Sequence, residues 1–360
     1  MQITIFSLFM SVIWSSVLVA FNYFCRKKHF FIRQLGVTNL LFLYLFSIVR
    51  MIVPYKFSFT RVIPSQGALD DLYKSAYVNK MGTTQISFVS VLVAVWIIVS
   101  AVLLIRFFFQ YRKAMAEFSK YRMRDDEQCR RVFNRVLNQS RREMRICIRQ
   151  SKYVNIPMGV GIFRRSIILP EETYSDAELY YILRHEYTHF QNRDLVIKSL
   201  IHIYGCIFWW NPAIYLLKRD LAQILEIKCD LDVTDKMENQ DKAGYLTAIV
   251  TMLKNAEAKK TPRPFYGATA LVARNRESEI IERFKIVSAS YGSKRRNLLF
   301  TGSWFLVFGM LIVLSYSFVL QPDYEMAGNG RAVGEAVSET TTGSPYSIEC
   351  IDGRYHVYFR

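Results

Sequence analysis

Leu183–Asp194 reads LRHEYTHFQNRD, and Glu226–Asp230 reads EIKCD. His185 and His189 are four residues apart, so on a helix both imidazoles leave one face and can share a metal. Glu186 follows the first histidine, on the turn where it can reach a metal-bound water. Glu226 and Asp230 repeat the four-residue spacing and can supply a third ligand and a carboxylate behind the ligands. Two His, one Glu and an open position for water form the layout of a zinc peptidase. Only 5 of 360 residues are histidine, so composition alone seldom produces this pattern.

The composition points to a membrane. A net charge of +17 coexists with 51% hydrophobic and 15% aromatic residues because the apolar residues fall in blocks. Ile3–Phe24, Ile86–Ile105 and Leu298–Gln321 carry no charge, and Leu35–Val53 only Arg50. Each is long enough for a helix across a hydrocarbon core of roughly 30 Å. The first lacks the basic start and small-residue cleavage site of a signal peptide and reads as a retained anchor. The expected fold is therefore a four-helix membrane protein with an α+β cytoplasmic peptidase domain. Spans are placed at about 3–24, 35–54, 86–109 and 298–321, with the first three in 1–110, the peptidase domain at 111–291 and a short extracellular tail at 322–360.

Lys/Arg bias sets the orientation. Cys25–Gln34, Tyr111–Arg145 and Ser293–Asn297 are rich in basic residues and should be cytoplasmic. The N-terminus, Pro54–Gln85 and the chain from Pro322 should then lie outside. The basic excess faces the anionic inner leaflet, so membrane lipid is an expected partner; no nucleic-acid motif accompanies the charge. The six cysteines form no CxxC pair and no disulfide framework. Cys229 sits beside the metal residues but is read as packing, because it is turned about 100° from Asp230 on a helix.

Within the domain, Ala114–Arg142 reads as interrupted helix, and Met144–Val154 and Met158–Leu169 as short strands before Pro170. Ser175 caps the HEYTH helix, with Glu178 at its third position. Ala327–Ser344 is Gly/Ser/Thr-rich and expected to be disordered, while Ser344–Arg360 could form a strand or two. Ser199–Leu217 is uncharged and long enough for a fifth span. A full crossing would part the HEYTH helix from Glu226, so a helix hairpin broken at Asn211-Pro212 is expected instead, in the protein or dipping into the inner leaflet.

The chemistry follows from the residues. Zinc lowers the pKa of its water, Glu186 takes the proton as the water attacks a peptide carbonyl, and returns it to the leaving amine. His185 and His189 must be neutral and should each donate the other ring N–H to an acceptor. Asp230 is the natural partner for one of them. Asp194, placed on the same helix five residues past His189, either ties the metal-bearing helices together or is a surface charge. His202 lies among apolar residues and reads as structural. Ser166–Leu169, just before the helix, is expected at the sheet edge, offering backbone to an extended substrate.

Taken in order, IPMGVGIFRRSIILPEE, LRHEYTHFQNRD, FWWNPAIYLL and LEIKCDLDV resemble the BlaR–MecR family of antirepressor membrane metallopeptidases. RMIVP at the end of the second span and the layout of spans are similar too, and the resemblance covers roughly residues 1–320. It implies zinc on His185, His189 and Glu226, with Glu186 as general base, a small sheet beside the metal helices, and a cytoplasmic protein such as a repressor as substrate. The family's best-known members continue into a penicillin-binding sensor domain with an SxxK serine. Residues 322–360 contain no SxxK, so a separate sensor partner is expected for any β-lactam signal. Two other readings stay open: an HtpX-like quality-control protease, and a non-hydrolytic transducer with a structural zinc site. The inducing signal and oligomeric state are not legible.

Overall fold

Each apolar block folds as a helix, because a continuous apolar run can bury its backbone hydrogen bonds only within itself. In the computed structural model, which describes residues 2–3, 5–65, 88–140, 142–235, 237–258, 277–289, 298–322, 346–351 and 354–359, the first three helices are α1 (Ile5–Arg26), the short α2 (His29–Leu35) and α3 (Val37–Ile52). They are followed by α4 (Phe88–Ser119), which outruns the expected span by ten residues at its C-terminal end. Among the described residues three helices are long and apolar enough to cross a membrane: Phe6–Arg26, Phe88–Ser119 and Leu298–Ser317. Val37–Ile52 is apolar but only 16 residues long. Large apolar side chains such as Ile98, Val102, Phe109, Leu306 and Met310 point outward, as they do on a lipid-facing surface.

One end of the bundle gathers the segments expected to share a side. Strand β1 (Gln2–Ile3) pairs antiparallel with β2 (Tyr55–Lys56), and β3 (Arg61–Ser65) runs parallel to β8 (Phe318–Pro322) after the last span. Arg50 is buried there, donating to Ser315 Oγ at 2.8 Å and to its carbonyl at 2.9 Å, over the ring of Tyr316.

An α+β domain occupies the other end. Helix α5 (Glu127–Asn138) and strands β4 (Arg122–Met123), β5 (Cys147–Ser151), β6 (Met158–Val160) and β7 (Ser166–Pro170) precede helix α6 (Asp176–Gln191), which bears the HEYTH motif. Ser175 and Glu178 form the expected capping box, with Ser175 Oγ accepting from Glu178 N–H at 3.2 Å and Glu178 Oε2 accepting from Ser175 N–H at 2.9 Å. The sheet order is β4-β5-β7-β6. The expectation for Ser166–Leu169 is therefore overturned: β7 lies inside the sheet, parallel to β5 and antiparallel to β6, and its Ile167, Ile168 and Leu169 are fully buried. A continuous apolar strand suits a position covered on both faces; the edge falls to β6.

The ambiguous stretch is a hairpin. Helix α7 (Asp194–Ile207) ends where Trp96 Nε1 and Ser100 Oγ on α4 donate to the Ile207 carbonyl at 2.5 and 3.2 Å. Helix α8 (Pro212–Thr234) starts at Asn211, whose Oδ1 accepts from Ala213 N–H at 2.9 Å and whose Nδ2 donates to Ser16 Oγ in mid-α1 at 2.9 Å. The turn thus sits against the middle of the bundle, and the chain returns beside itself, leaving Asp194 and Glu226 at the same end. The core of this hairpin is continuous with α1, α3 and Leu298–Ser317, which is α11. Helices α9 (Asn239–Ala258) and α10 (Glu277–Ala289) close the α+β domain. Strands β9 (Tyr346–Ile351) and β10 (Arg354–Phe359) form an antiparallel hairpin in the tail; Ala327–Ser344, expected to be disordered, lies outside the described residues.

Candidate metal centre

Helix α6 brings His185 and His189 onto one buried face, with Nε2 atoms 3.1 Å apart. From α8, Glu226 reaches the same point: its Oε2 is 3.7 Å from His185 Nε2 and 3.6 Å from His189 Nε2. Ligands held tetrahedrally at roughly 2.0–2.1 Å from one ion are about 3.3–3.4 Å apart, so this triangle has the size of a zinc site. Glu226 Oε2 is buried and accepts no hydrogen bond among the described residues, whereas Oε1 takes Lys198 Nζ at 3.1 Å. A buried carboxylate oxygen left facing two ring nitrogens fits a cation.

Cys229 also lies within 4.8 Å of both imidazoles, making a His-His-Cys alternative. Its sulfur faces His185 Nδ1 at 3.6 Å and the His185 carbonyl at 3.4 Å, and it also acts on His189. Both Glu226 and Cys229 thus stand within reach of the two imidazoles, and the structure offers either as third ligand.

Behind the ligands each Nδ1 has a partner. His189 Nδ1 meets Asp194 Oδ2 at 2.6 Å, and His185 Nδ1 meets Tyr245 Oη at 2.8 Å. Tyr245 donates to Asp230 Oδ1 at 2.7 Å, so Asp230 acts on His185 through the phenol; its own oxygen is 3.5 Å from the ring. Asp194 is not on the HEYTH helix. Helix α6 stops at Gln191, Arg193 takes a left-handed turn at φ 59°, and Asp194 opens α7, folded back on His189 and fully buried. It joins two elements and is no surface charge. His202 lies elsewhere, against Phe107 and Lys218.

Glu186 is fully buried beside the triangle, and its Oε2 accepts the Gly159 N–H of β6 at 2.6 Å. Three residues were not foreseen: Tyr245, Lys198 and Arg283. Arg283 donates to Asp230 from Nε at 2.6 Å and Nη2 at 2.8 Å, with Nη1 3.7 Å from Glu226 Oε2. Tyr245 and Arg283 come from segments remote from the motifs in sequence, and Lys198 from four residues past Asp194 on α7. The one sequence signal is Lys198, a lone cation within the apolar run of α7.

Electrostatics follow this clustering. Burial opposes charge on His185, but Cys229 and Glu226 outweigh it and lift its pKa to about 10. Burial likewise opposes charge on His189, and Cys229, Glu226 and Asp194 raise it. Burial disfavours ionised Glu226, yet Lys198 and His189 hold it well below the usual carboxylate range.

Residues 7–287 match the family described as BlaR1 peptidase M56. The chain belongs to this family. Its relatives include the methicillin resistance mecR1 protein of Staphylococcus aureus strain Mu50, 32% identical over 108 residues, or 29% of this chain and 18% of that protein. Regulatory protein BlaR1 of Bacillus licheniformis is 24% identical over 169 residues, 46% of this chain and 28% of that protein. Regulatory protein BlaR1 of Staphylococcus aureus is 21% identical over 276 residues, 73% of this chain and 46% of that protein. The matched part thus spans less than half the length of these relatives. The two BlaR1 relatives are named as regulatory proteins, and the apolar helices of this M56 chain agree with a membrane setting.

Proposed function

We propose that this M56 protein is a zinc endopeptidase of signal-transducing, antirepressor type that cuts a cytoplasmic protein such as a transcriptional repressor. The triangle of His185 Nε2, His189 Nε2 and Glu226 Oε2 carries the reading. Those three atoms would hold the ion, which supplies a polarised water of lowered pKa. Asp194 and Tyr245 keep each Nδ1 engaged, so each Nε2 stays turned to the shared point. Glu186 takes a proton from the attacking water at its carboxylate and returns it to the leaving amine; the Gly159 N–H holds that carboxylate in place. Edge strand β6 is the strand next to the base and suits pairing with an extended peptide.

In this reading Val37–Ile52 is the fourth span, the peptidase domain faces the cytoplasm, and β1, β2, β3 and β8 face outward. Lys/Arg placement and the gathering of those strands at one end support it. A signal, from a separate sensor partner or the spans themselves, would reach the site through the helices that touch both. The test is metal analysis and cleavage of unstructured fluorogenic peptides by the full-length protein. One zinc per chain with cleavage in wild type, and one zinc without cleavage in Glu186→Ala, is expected. Cleavage surviving in Glu186→Ala would end the proposal.

A further inference from the structure

The turn between β6 and β7 presents an aromatic tip between arginines. Gly161 starts it at φ +87°, where an added Cβ would lie 2.1 Å from the Arg164 carbonyl oxygen, so only glycine closes this turn. Phe163 projects from it with 92% of its surface exposed, followed by Arg164 and Arg165. Beneath them opens a cavity of about 1270 Å³, whose walls include Arg112, Arg145 and Arg149 against a single acid, Glu143. Among the described residues none of Arg112, Arg145, Arg164 or Arg165 makes an ion pair, whereas Arg149 is held by Nη1 donating to the Ser119 and Tyr121 carbonyls, each at 2.8 Å.

The depth of this turn can be read from α4. The Ile162 N–H donates to Tyr111 Oη at 3.3 Å, which pins the turn to that helix. A hydrocarbon core takes up roughly 20 helical residues, which from Phe88 ends near Phe107. Uninterrupted outward-facing apolar side chains end at Ile105; the exposed Arg106 is the first charge, Phe108 and Phe109 follow, and then Arg112. Tyr111 is four residues past Phe107, about 6 Å at ~1.5 Å per residue, which is headgroup depth.

We propose that the β6–β7 turn is a membrane-docking element: its arginines take the phosphate of an anionic phospholipid headgroup while Phe163 enters the acyl boundary. A soluble anion would explain the arginines but not a bare phenylalanine beside them, and unpaired guanidinium groups at this depth complement anionic lipid. Docking would steady β6, whose Gly159 holds Glu186. The inference rests only on α4 crossing a membrane and stands apart from the zinc chemistry.

The experiment uses the full-length protein with Cys147→Ser and a polarity-sensitive fluorophore on Phe163→Cys, in nanodiscs of phosphatidylcholine with or without phosphatidylglycerol. Quenching by nitroxide-bearing lipid and protection from aqueous iodide are expected in the anionic discs. Each arginine near an anionic surface is worth about fivefold, so Arg164→Gln with Arg165→Gln should lower insertion on the order of thirtyfold. Arg130→Gln with Arg131→Gln, a matched loss of charge on α5, should leave it unchanged. Equal iodide quenching in both discs, or insertion unaffected by the Arg164/Arg165 pair, would overturn the proposal. Equal protection by inorganic phosphate in phosphatidylcholine discs would do so too, by identifying a soluble-anion site.

Discussion

Arg283 grips Asp230 with two hydrogen bonds, from Nε at 2.6 Å and Nη2 at 2.8 Å, while its Nη1 stands 3.7 Å from Glu226 Oε2. Its neighbour Glu282 takes Arg26, at the end of the first membrane helix, at 2.7 Å. Arg26 in turn meets Asp220 on α8 at 2.5 Å, and Tyr44 of α3 donates to the same carboxylate. Helix α10 therefore touches both the spans and the carboxylate that orients His185. It precedes α11 in the chain, so the last span connects to this clamp covalently as well.

Removing the clamp should be felt at the metal. Arg283→Ala strips two charge-assisted bonds from a buried carboxylate and is expected to weaken zinc about 10–100-fold, with Arg283→Lys recovering part of it. Competition with a fluorescent chelator measures this. Unchanged affinity in Arg283→Ala would show that Asp230 does not need the arginine.

Asp220→Asn should destabilise the fold without touching the metal residues. It leaves the buried Arg26 with Glu282 as its one remaining carboxylate, so the loss should stay below the about 3–5 kcal/mol of breaking an isolated buried pair. Thermal unfolding in detergent is expected to show the loss, with zinc still bound below the transition.

The third ligand can be assigned by a pair of variants. Glu226→Gln replaces an anionic ligand with a neutral one and should lose most zinc, while Cys229→Ser should keep it. The reverse outcome would place the metal on the sulfur side of His185. Asp194→Asn and Tyr245→Phe should each cost about 10–100-fold in affinity, since each removes the partner of one Nδ1.

The metal-free protein should be sensitive to alkali. His185 in the fold has a pKa near 10, above the ~6.5 of an unfolded histidine. The folded state thus binds the extra proton, and this stabilisation is complete below about pH 6.5 and lost as pH rises towards 10. Zinc replaces that proton, so uptake near pH 8 should release protons into a weak buffer, and the loaded protein should not show the alkaline loss. Unfolding curves from pH 6 to 10, with and without zinc, check both statements.

Much of this was legible locally. The capping box at Ser175, the Asn211-Pro212 start of α8 and the blocks of apolar residues are short-range features: the first two became the elements expected, and each apolar block became a helix, three of them long enough to cross a membrane. The strand order was not, because β7 carries the same apolar run whether it lies at an edge or inside. Pairing with β5 from one side and β6 from the other is a long-range choice. Asp194 was misplaced for a backbone reason: Arg193 adopts a left-handed conformation that costs a non-glycine residue about 1–2 kcal/mol, which sequence periodicity cannot announce.

By itself the sequence determined the membrane helices, the HEYTH and EIKCD helices, and the residue types able to hold and use a metal, because those depend on spacing along one helix and on uninterrupted apolar length. Tertiary structure alone decided how those residues meet. The α7–α8 hairpin turns back inside the bundle and returns Glu226 to the two histidines. Lys198 comes from α7 itself, and Tyr245 and Arg283 arrive from two further helices, α9 and α10, to hold these side chains and their carboxylates. No periodicity encodes such contacts; they exist because a buried charge must find its partner wherever the packed helices bring one within reach.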